Sequence, residues 1–255
     1  MPDATQRLLL VHAHPDDETI GNGATMAKYV AEGRQVTCVT CTAGEMGEIL
    51  VPDLAHLAAD QEDGLGEHRR TELEDAMAAL GVTDHRWLGG FGRFRDSGMK
   101  WHEAGHAIAA DETDERAFAN ADLTVAADEL VQIIREVRPQ VMATYDQFGG
   151  YGHPDHIQAH RVATYAAHLA AVPSYRPELG EPWDIAKIYW NAMSESKMRE
   201  GLRALRDAGE ETFFEGMDPD GPMPHFVTAD EHLSCAVDAT DFVDAKMAAM
   251  KAYPT

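Results

Sequence analysis

Basic residues and long apolar runs are both scarce in this chain of 255 residues. Lysine and arginine together number 21, against 44 aspartates and glutamates, which gives a formal net charge of −23 at pH 7. Nucleic acids and anionic membranes bind basic surfaces, so this charge disfavours partners of either kind. No apolar run approaches the length that spans a bilayer, and the N-terminus continues into Arg7-Leu8-Leu9-Leu10 without a signal-peptide pattern. We therefore expect a soluble, cytoplasmic protein.

Cysteine is also rare, and three residues cannot build a disulfide framework. Cys38 and Cys41 have the spacing of a C-x-x-C pair, but they lie in the alternating, β-branched segment 35–42. Residues three apart on a strand point to opposite faces of the sheet. The pair therefore cannot chelate a metal or act as a dithiol, and we expect both thiols near the core in a reducing compartment.

Three common active-site motifs are absent from the sequence. No G-x-G-x-x-G follows the first predicted strand, because Gly21-Asn22-Gly23 is too short and wrongly spaced. There is also no G-x-x-x-x-G-K-S/T and no G-x-S-x-G. These absences argue against a dinucleotide cofactor, a phosphate-binding loop and a serine-hydrolase elbow.

Predicted strands and helices alternate along the chain. Strands are predicted at 8–12, 36–42, 85–88, 140–145, 186–193 and 235–238. Helices are predicted at 21–32, 67–80, 123–137, 155–171, 195–208 and 241–252, with covering loops at 49–66 and 89–119. This order predicts an α/β fold, a mostly parallel open sheet with helices on both faces. We expect a single domain over 1–255, with a metal-site core at 1–172 and a smaller C-terminal part at 173–255.

Two short strings of histidine and aspartate follow two of the predicted strands. They are AHPDDE at 13–18, after the first strand, and GHPDH at 152–156, after strand 140–145. Ligands of open parallel sheets bind beyond the carboxyl ends of the strands, so the strings are expected to meet there. Either string alone could be a turn or a helix N-cap. Together they indicate a catalytic zinc site, which needs three protein ligands and an open position for water.

Three segments resemble the PIG-L/LmbE-like zinc-dependent N-acetylglucosamine deacetylases: VHAHPDDE at 11–18, TCTAGE at 40–45 and GGYGHPDH at 149–156. The loop 88–99 is most similar to the branch of that family that deacetylates N-acetylglucosaminyl-inositol in mycothiol biosynthesis. The resemblance extends from residue 8 to about 165, and more faintly to 252. The family pattern continues past Thr255, so the C-terminal part is expected to be incomplete at its end.

The resemblance implies a role for each residue of the two strings. His14, Asp17 and His156 would bind Zn²⁺, and Fe²⁺ also suits these ligands. Asp16 would act as general base, with an N-cap of the following helix as the alternative. His153 would act as an acid or electrophile, and the carboxylate of Asp155 would orient His153. Tyr151 would donate its hydroxyl to the oxyanion, with a tyrosine that merely packs over the site as the alternative.

Outside the two strings, Arg69 and Asp96 resemble the family's sugar-contacting positions. The alternative for Arg69 is a surface charge paired with Glu72 or Glu74. His12 is either a residue behind the metal site or a packed core histidine. Plausible site carboxylates without an assigned role are Glu18, Glu45 and Glu48.

The function implied by the resemblance is metal-dependent removal of the N-acetyl group from N-acetylglucosaminyl-inositol, a small amino-sugar substrate. Alternative enzymes are a mycothiol S-conjugate amidase and a deacetylase of another N-acetylglucosaminide. A sugar- or metal-binding module is the non-enzyme alternative. It is disfavoured because a binding module has no need of a base, Asp16, beside an open metal site. The oligomeric state is not predicted.

Overall fold

The structure is a computed structural model that describes residues 6–210 and 217–255. The strands, numbered in chain order, are β1 (Arg7–His12), β2 (Gln35–Thr40), β3 (Asp84–Trp87), β4 (Met99–Trp101), β5 (Ala107–Ala109), β6 (Val141–Thr144), β7 (Lys187–Trp190), β8 (Met193–Ser194) and β9 (Val227–Thr228). The helices are α1 (Asp17–Ala31), α2 (Leu65–Leu80), α3 (Leu123–Val137), α4 (Pro154–Ala170), α5 (Glu195–Asp207) and α6 (Val243–Met250). Among the described residues, no helix combines the length and the apolar composition that a membrane crossing needs.

Five strands form one parallel sheet in the spatial order β3-β2-β1-β6-β7. The predicted fold class is therefore confirmed. β1 lies at the centre, with Leu10 opposite Cys38 of β2 on one side and Ala143 of β6 on the other. The loops after β1 and β6 diverge at this point, which opens the crevice where ligands bind in such sheets.

The apolar residues of β1 alternate between two cores, one on each face of the sheet. Leu9 and Val11 pack with residues of α3 and α4, whereas Leu8 and Leu10 pack with residues of α1, α2 and α6. Helices therefore cover both faces, as predicted. Cys38 belongs to one core and Cys41 to the other, so the prediction that the two thiols point in opposite directions is confirmed.

Helix α1 begins four residues earlier than the predicted start at Gly21, at Asp17. The predicted start is therefore corrected to Asp17. The acidic first turn, Asp17 and Glu18, interacts favourably with the helix N-terminus. Gly23 is kept inside the helix by packing, since a Cβ there would lie 3.3 Å from Lys246 of α6. The earlier start places Asp17 on a rigid element.

Three other local predictions are corrected. The predicted loop 89–119 contains the β4–β5 hairpin, whose strands are too short to give a periodic pattern. The predicted loop 49–66 contains a 3₁₀ turn at Pro52–Leu57 and the start of α2. The strand predicted at 235–238 is wrong: these residues are exposed and pair with no strand within the described ranges.

Candidate metal centre and active site

The two histidine–aspartate strings meet where β1 and β6 end. The first string forms the turn into α1, and the second forms the turn into α4, whose first residue is Pro154. The ring centroid of His14 lies 4.5 Å from that of His153 and 5.2 Å from that of His156. The structure therefore brings together side chains that the sequence placed on separate segments.

The Asp17 carboxylate lies between two imidazole rings. Its Oδ2 is 3.2 Å from Nδ1 of His14 and 3.3 Å from Nε2 of His156. Two ligand atoms of a tetrahedral zinc ion, with bonds of about 2.0–2.1 Å, are about 3.3 Å apart. Each distance is therefore the separation that two ligands of one ion would have.

Hydrogen bonds turn one nitrogen of each of these rings toward Asp17. Nδ1 of His156 donates to the Gly149 carbonyl at 3.2 Å, which leaves Nε2 buried without a hydrogen-bond partner among the described residues. Nε2 of His14 lies 3.2 Å from Oδ2 of Asp155. Outer hydrogen bonds of this kind orient metal-binding histidines in proteins. Each ring therefore presents a nitrogen to the Asp17 carboxylate.

The charge around His14 favours a cation. Burial acts to lower the pKa of His14, but Asp96, Asp155 and Asp17 raise it well above its usual value. Burial likewise acts to raise the pKa of Asp17, but His156 and His14 hold it well below its usual value. The pocket thus stabilises positive charge next to an ionised carboxylate, as a metal site requires.

Two groups of side chains have all their ligand atoms within 4.8 Å of one another. These are His14 with His153 and His156, and His14 with Asp96, His153 and Asp155. The second group includes carboxylates that the sequence analysis did not assign to the metal. Neither group includes Asp17, whose Oδ2 instead contacts ring nitrogens of both His14 and His156.

Asp155 was predicted to orient His153 with its carboxylate, but the structure gives this carboxylate other hydrogen-bond partners. Its Oδ2 accepts from the Ser97 backbone N–H at 2.8 Å and contacts His14, while the Ser97 hydroxyl donates to Oδ1. The Asp155 carboxylate therefore has its hydrogen-bond partners in Ser97 and His14. The backbone N–H of Asp155 instead donates to Nδ1 of His153 at 3.1 Å.

Asp96 is buried, although it was predicted to contact the sugar. Its Oδ1 accepts from the Gly98 N–H at 2.8 Å and lies 3.5 Å from Nε2 of His14, and its Oδ2 accepts from the Met46 N–H at 3.2 Å. Burial acts to raise its pKa, but His14 and the Gly98 N–H hold the pKa well below its usual value. The structure therefore gives Asp96 a role in holding His14, and a direct contact with substrate stays a prediction.

Asp16 occupies the N-cap position of α1, but its side chain makes no capping hydrogen bond. Instead its Oδ2 accepts from Nη2 of Arg69 at 2.6 Å. Arg69 is buried and also lies 4.0 Å from Glu72, so it is paired with a site carboxylate as well as with a neighbour on its own helix. Burial and the neighbouring Asp17 raise the pKa of Asp16 to about 6, although Arg69 acts to lower it.

His153 and Tyr151 both lie next to His156. Nδ1 of His153 accepts from the backbone, so Nε2 carries the proton. Burial, together with His14 and His156, lowers the pKa of His153 to about 2, which makes it a neutral donor. The Tyr151 ring centroid lies 5.1 Å from that of His156, and burial raises the pKa of its hydroxyl. Both groups are therefore hydrogen-bond donors close to the proposed ligands.

The sequence analysis missed Tyr145, which holds the central carboxylate. Its hydroxyl donates to Oδ2 of Asp17 at 2.7 Å and accepts from the Ala13 N–H at 2.9 Å. The available signal was its position directly after β6, where a polar aromatic residue reaches the crevice. Ser97, the partner of Asp155, had no comparable signal.

The remaining candidates lie around this centre. His12 is buried behind it, 5.6 Å from Tyr145 between ring centroids, and neither of its nitrogens has a partner within the described residues. Burial lowers its pKa to about 4. Glu45 accepts from the Asp96 N–H at 3.0 Å, and Glu18 is fully buried and accepts from the Asp16 N–H. Glu48 is exposed.

A family model described as "PIG-L: GlcNAc-PI de-N-acetylase" matches residues 9–167. The chain belongs to the PIG-L family. The resemblance noted in the sequence is thereby confirmed at the level of the family. PIG-L family deacetylases depend on a metal, and the histidine–aspartate cluster of this chain could hold one.

Relatives within the PIG-L family are highly similar over nearly the whole of this chain. The 1D-myo-inositol 2-acetamido-2-deoxy-alpha-D-glucopyranoside deacetylase of Nocardioides sp. is 77% identical over 250 residues, which cover 98% of this chain and 83% of that protein. The protein of the same name from Kribbella flavida is 63% identical over 255 residues, with 100% and 84% covered. The solved structure of conserved protein TT1542 from Thermus thermophilus is 25% identical, has a TM-score of 0.58, and matches over 96% of this chain and 78% of that one.

Proposed function

We propose that this protein is a metal-dependent hydrolase that removes the acetyl group from N-acetylglucosaminyl-inositol, a step of mycothiol biosynthesis in the cytoplasm. The observation that carries the proposal is Asp17 held between His14 and His156, with Asp16 beside it. Two relatives at 77% and 63% identity are named as deacetylases of this substrate, which supports the same substrate here.

The proposed ligands are His14, Asp17 and His156, and the proposed ion is Zn²⁺, with Fe²⁺ as the second ion that suits them. When bound, such an ion lowers the pKa of a water molecule and polarises the amide carbonyl. Asp17 is the carboxylate best suited to this role, because its Oδ2 lies within 3.3 Å of a ring nitrogen of both His14 and His156. Tyr145 keeps Asp17 in place through its hydroxyl.

Asp16 is the proposed general base. Its carboxylate directly precedes the ligand Asp17, its pKa is raised, and it makes no capping hydrogen bond. Arg69 fixes one carboxylate oxygen, so the other is free to take a proton from the attacking water. A positioned base of this kind contributes roughly 10²–10⁴-fold to a hydrolysis rate.

His153 and Tyr151 are the proposed donors to the oxyanion that forms as water adds to the amide. The backbone N–H of Asp155 fixes the His153 tautomer, so its Nε2–H is free to donate. The hairpin β4–β5 holds the loop of Tyr151, because the Ala107 N–H donates to the Tyr151 carbonyl at 2.8 Å. Donors fixed before the reaction stabilise developing charge without reorganising.

Acetate release by the purified protein tests the substrate. N-acetylglucosaminyl-inositol should be hydrolysed with a kcat/KM at least about tenfold higher than that for N-acetylglucosamine, because the inositol ring adds binding contacts. A mycothiol S-conjugate serves as the third substrate. Faster hydrolysis of that conjugate would make the protein an amidase, and equal rates on the first two would make it a general N-acetylglucosaminide deacetylase. Cleavage of the conjugate releases no acetate, so the free amino sugar is measured with all three substrates. No free amine from any of them would leave only a binding module.

A further inference from the structure

The segment that follows α6 reaches two buried carboxylates near the start of α1. The Tyr253 hydroxyl donates to Oε1 of Glu18 at 2.8 Å, and the Thr255 hydroxyl donates to Oε2 of Glu72 at 2.6 Å. Glu18 is fully buried and Glu72 is 5% exposed. Each carboxylate in turn contacts the group around Asp16.

The first connection leads to the backbone of Asp16. While Oε1 of Glu18 accepts from Tyr253, its Oε2 accepts from the Asp16 N–H at 3.1 Å. Asp16 has a φ of +96°, a backbone conformation that non-glycine residues rarely adopt. Such a conformation persists only where surrounding contacts hold it. Glu18 supplies one of these contacts, and Tyr253 orients Glu18.

The second connection leads to the Asp16 side chain. Oε2 of Glu72, which accepts from Thr255, lies 4.0 Å from Nε of Arg69. Nη2 of the same Arg69 donates to Oδ2 of Asp16 at 2.6 Å. The segment after α6 thus reaches Asp16 from two directions, one through the backbone and one through the carboxylate.

A small cavity beside Asp16 has walls from the same two elements. Thr19 and Ile20 of α1 line it on one side, and Tyr253 and Thr255 line it on the other. The segment after α6 therefore forms one wall of the space around Asp16.

We propose that Tyr253 and Thr255 are positioning residues for Asp16. Tyr253 acts through Glu18 on the Asp16 backbone, and Thr255 acts through Glu72 and Arg69 on the Asp16 carboxylate. The inference rests on the proposed function, in which Asp16 is the general base. A catalytic group displaced by about 1 Å can lose roughly 10²-fold in rate, so contacts that fix Asp16 should affect turnover more than substrate binding.

Removing each hydroxyl in the 255-residue chain tests this role. Tyr253→Phe and Thr255→Val should each lower kcat roughly 5- to 100-fold while KM changes by less than about twofold. Metal content and thermal midpoint should stay at their wild-type values. Tyr175→Phe and Thr240→Val are matched controls, because each removes a hydroxyl-to-aspartate hydrogen bond outside the site. Both controls should keep the wild-type kcat.

Measuring the same substitutions in the Asp16→Asn variant distinguishes failure of this inference from failure of the proposed function. In Asp16→Asn, the residual rate should not fall further when Tyr253→Phe is added, because the group that Tyr253 positions is already lost. If Asp16→Asn keeps wild-type turnover, the base assignment itself fails. If Asp16→Asn loses turnover but Tyr253→Phe and Thr255→Val behave like the controls, the positioning role alone is wrong. Equal fractional losses from Tyr253→Phe in both backgrounds, or loss of metal, would also overturn it.

Discussion

At the residue scale, Asp16 has an environment suited to a base. It is one residue from the proposed ligand Asp17, its backbone has a φ of +96°, and Arg69 holds its carboxylate at 2.6 Å. An ordinary N-cap aspartate would instead accept from backbone N–H groups of its own helix, as Asp122 does at α3. Asp16 occupies a capping position without the capping function, which favours a chemical role.

Asp16→Asn should keep the metal and lose most turnover. The amide has nearly the same shape as the carboxylate but cannot accept a proton, so kcat should fall by roughly 10²–10⁴-fold. Metal content and kcat are measured on the same preparation. Asp122→Asn is the control, and it should keep wild-type turnover because it changes an N-cap outside the site. Turnover near the wild-type value in Asp16→Asn would leave another group, or the metal alone, as the source of activation.

Tyr151→Phe should lower kcat by roughly 10-fold or more and change KM little. The reason is that a hydrogen bond to the oxyanion strengthens only as charge develops. Steady-state kinetics with N-acetylglucosaminyl-inositol measures both kcat and KM. Tyr165→Phe, which alters an exposed tyrosine of α4, serves as the control. If instead KM rises at constant kcat, Tyr151 contacts the substrate in its ground state and the loop acts as a cover.

The sequence identifies the reacting side chains better than the side chains that orient them. His14, Asp16 and Asp17 form one string, so their chemical types and spacing can be recognised directly. Their partners are distant: Tyr145 is 128 residues from Asp17, and Asp155 is 141 residues from His14. These pairs depend on the strand order of the sheet, which places β6 beside β1. Residue types and spacing alone therefore do not reveal them.

At the element scale, the starts of α1 and α4 fix the site. α4 was predicted closely because Pro154 suits a first helical turn. α1 was predicted four residues short, although Asp17 and Glu18 are acidic residues of the kind that suit a first helical turn. The β4–β5 hairpin, which supports Tyr151, was missed since strands of three residues carry almost no periodic signal.

Arg135 of α3 connects this helix to the segment after α4. Its buried guanidinium donates to the backbone carbonyls of Leu169, Ala170, Val172, Tyr175, Arg176 and Gly180. Arg135→Met would remove all of these hydrogen bonds and should lower the free energy of unfolding by about 3–5 kcal/mol. For a domain of this size the thermal midpoint should fall by roughly 6–15 °C.

Thermal unfolding with a matched variant checks this role. Arg161→Met removes an exposed arginine of α4 and should change the midpoint by no more than about 1–2 °C. Arg135→Met should keep its kcat at temperatures well below its midpoint, because α3 contributes no group to the proposed site. If the thermal midpoint of Arg135→Met equals that of Arg161→Met, water forms hydrogen bonds to these carbonyls as effectively as the Arg135 guanidinium does.

At the scale of the whole molecule, the C-terminal part contributes to the same sheet and the same site. β7 pairs with β6, α6 packs on α1 and α2, and the segment after α6 reaches Glu18. The net charge of −23 has little influence on a neutral sugar substrate, so substrate selection rests on local contacts. The same negative charge favours capture of a divalent cation by the buried histidine–aspartate cluster.

The most direct test of the account is the metal content of the purified protein, measured together with acetate release from N-acetylglucosaminyl-inositol. Wild type should hold about one divalent ion per chain, and His156→Ala should lose metal and turnover together because two ligands retain zinc poorly. His168→Ala, an exposed histidine of the same helix, should match wild type in both. A His156→Ala protein that keeps one ion per chain, or wild type that releases acetate after its metal is removed, would contradict the account.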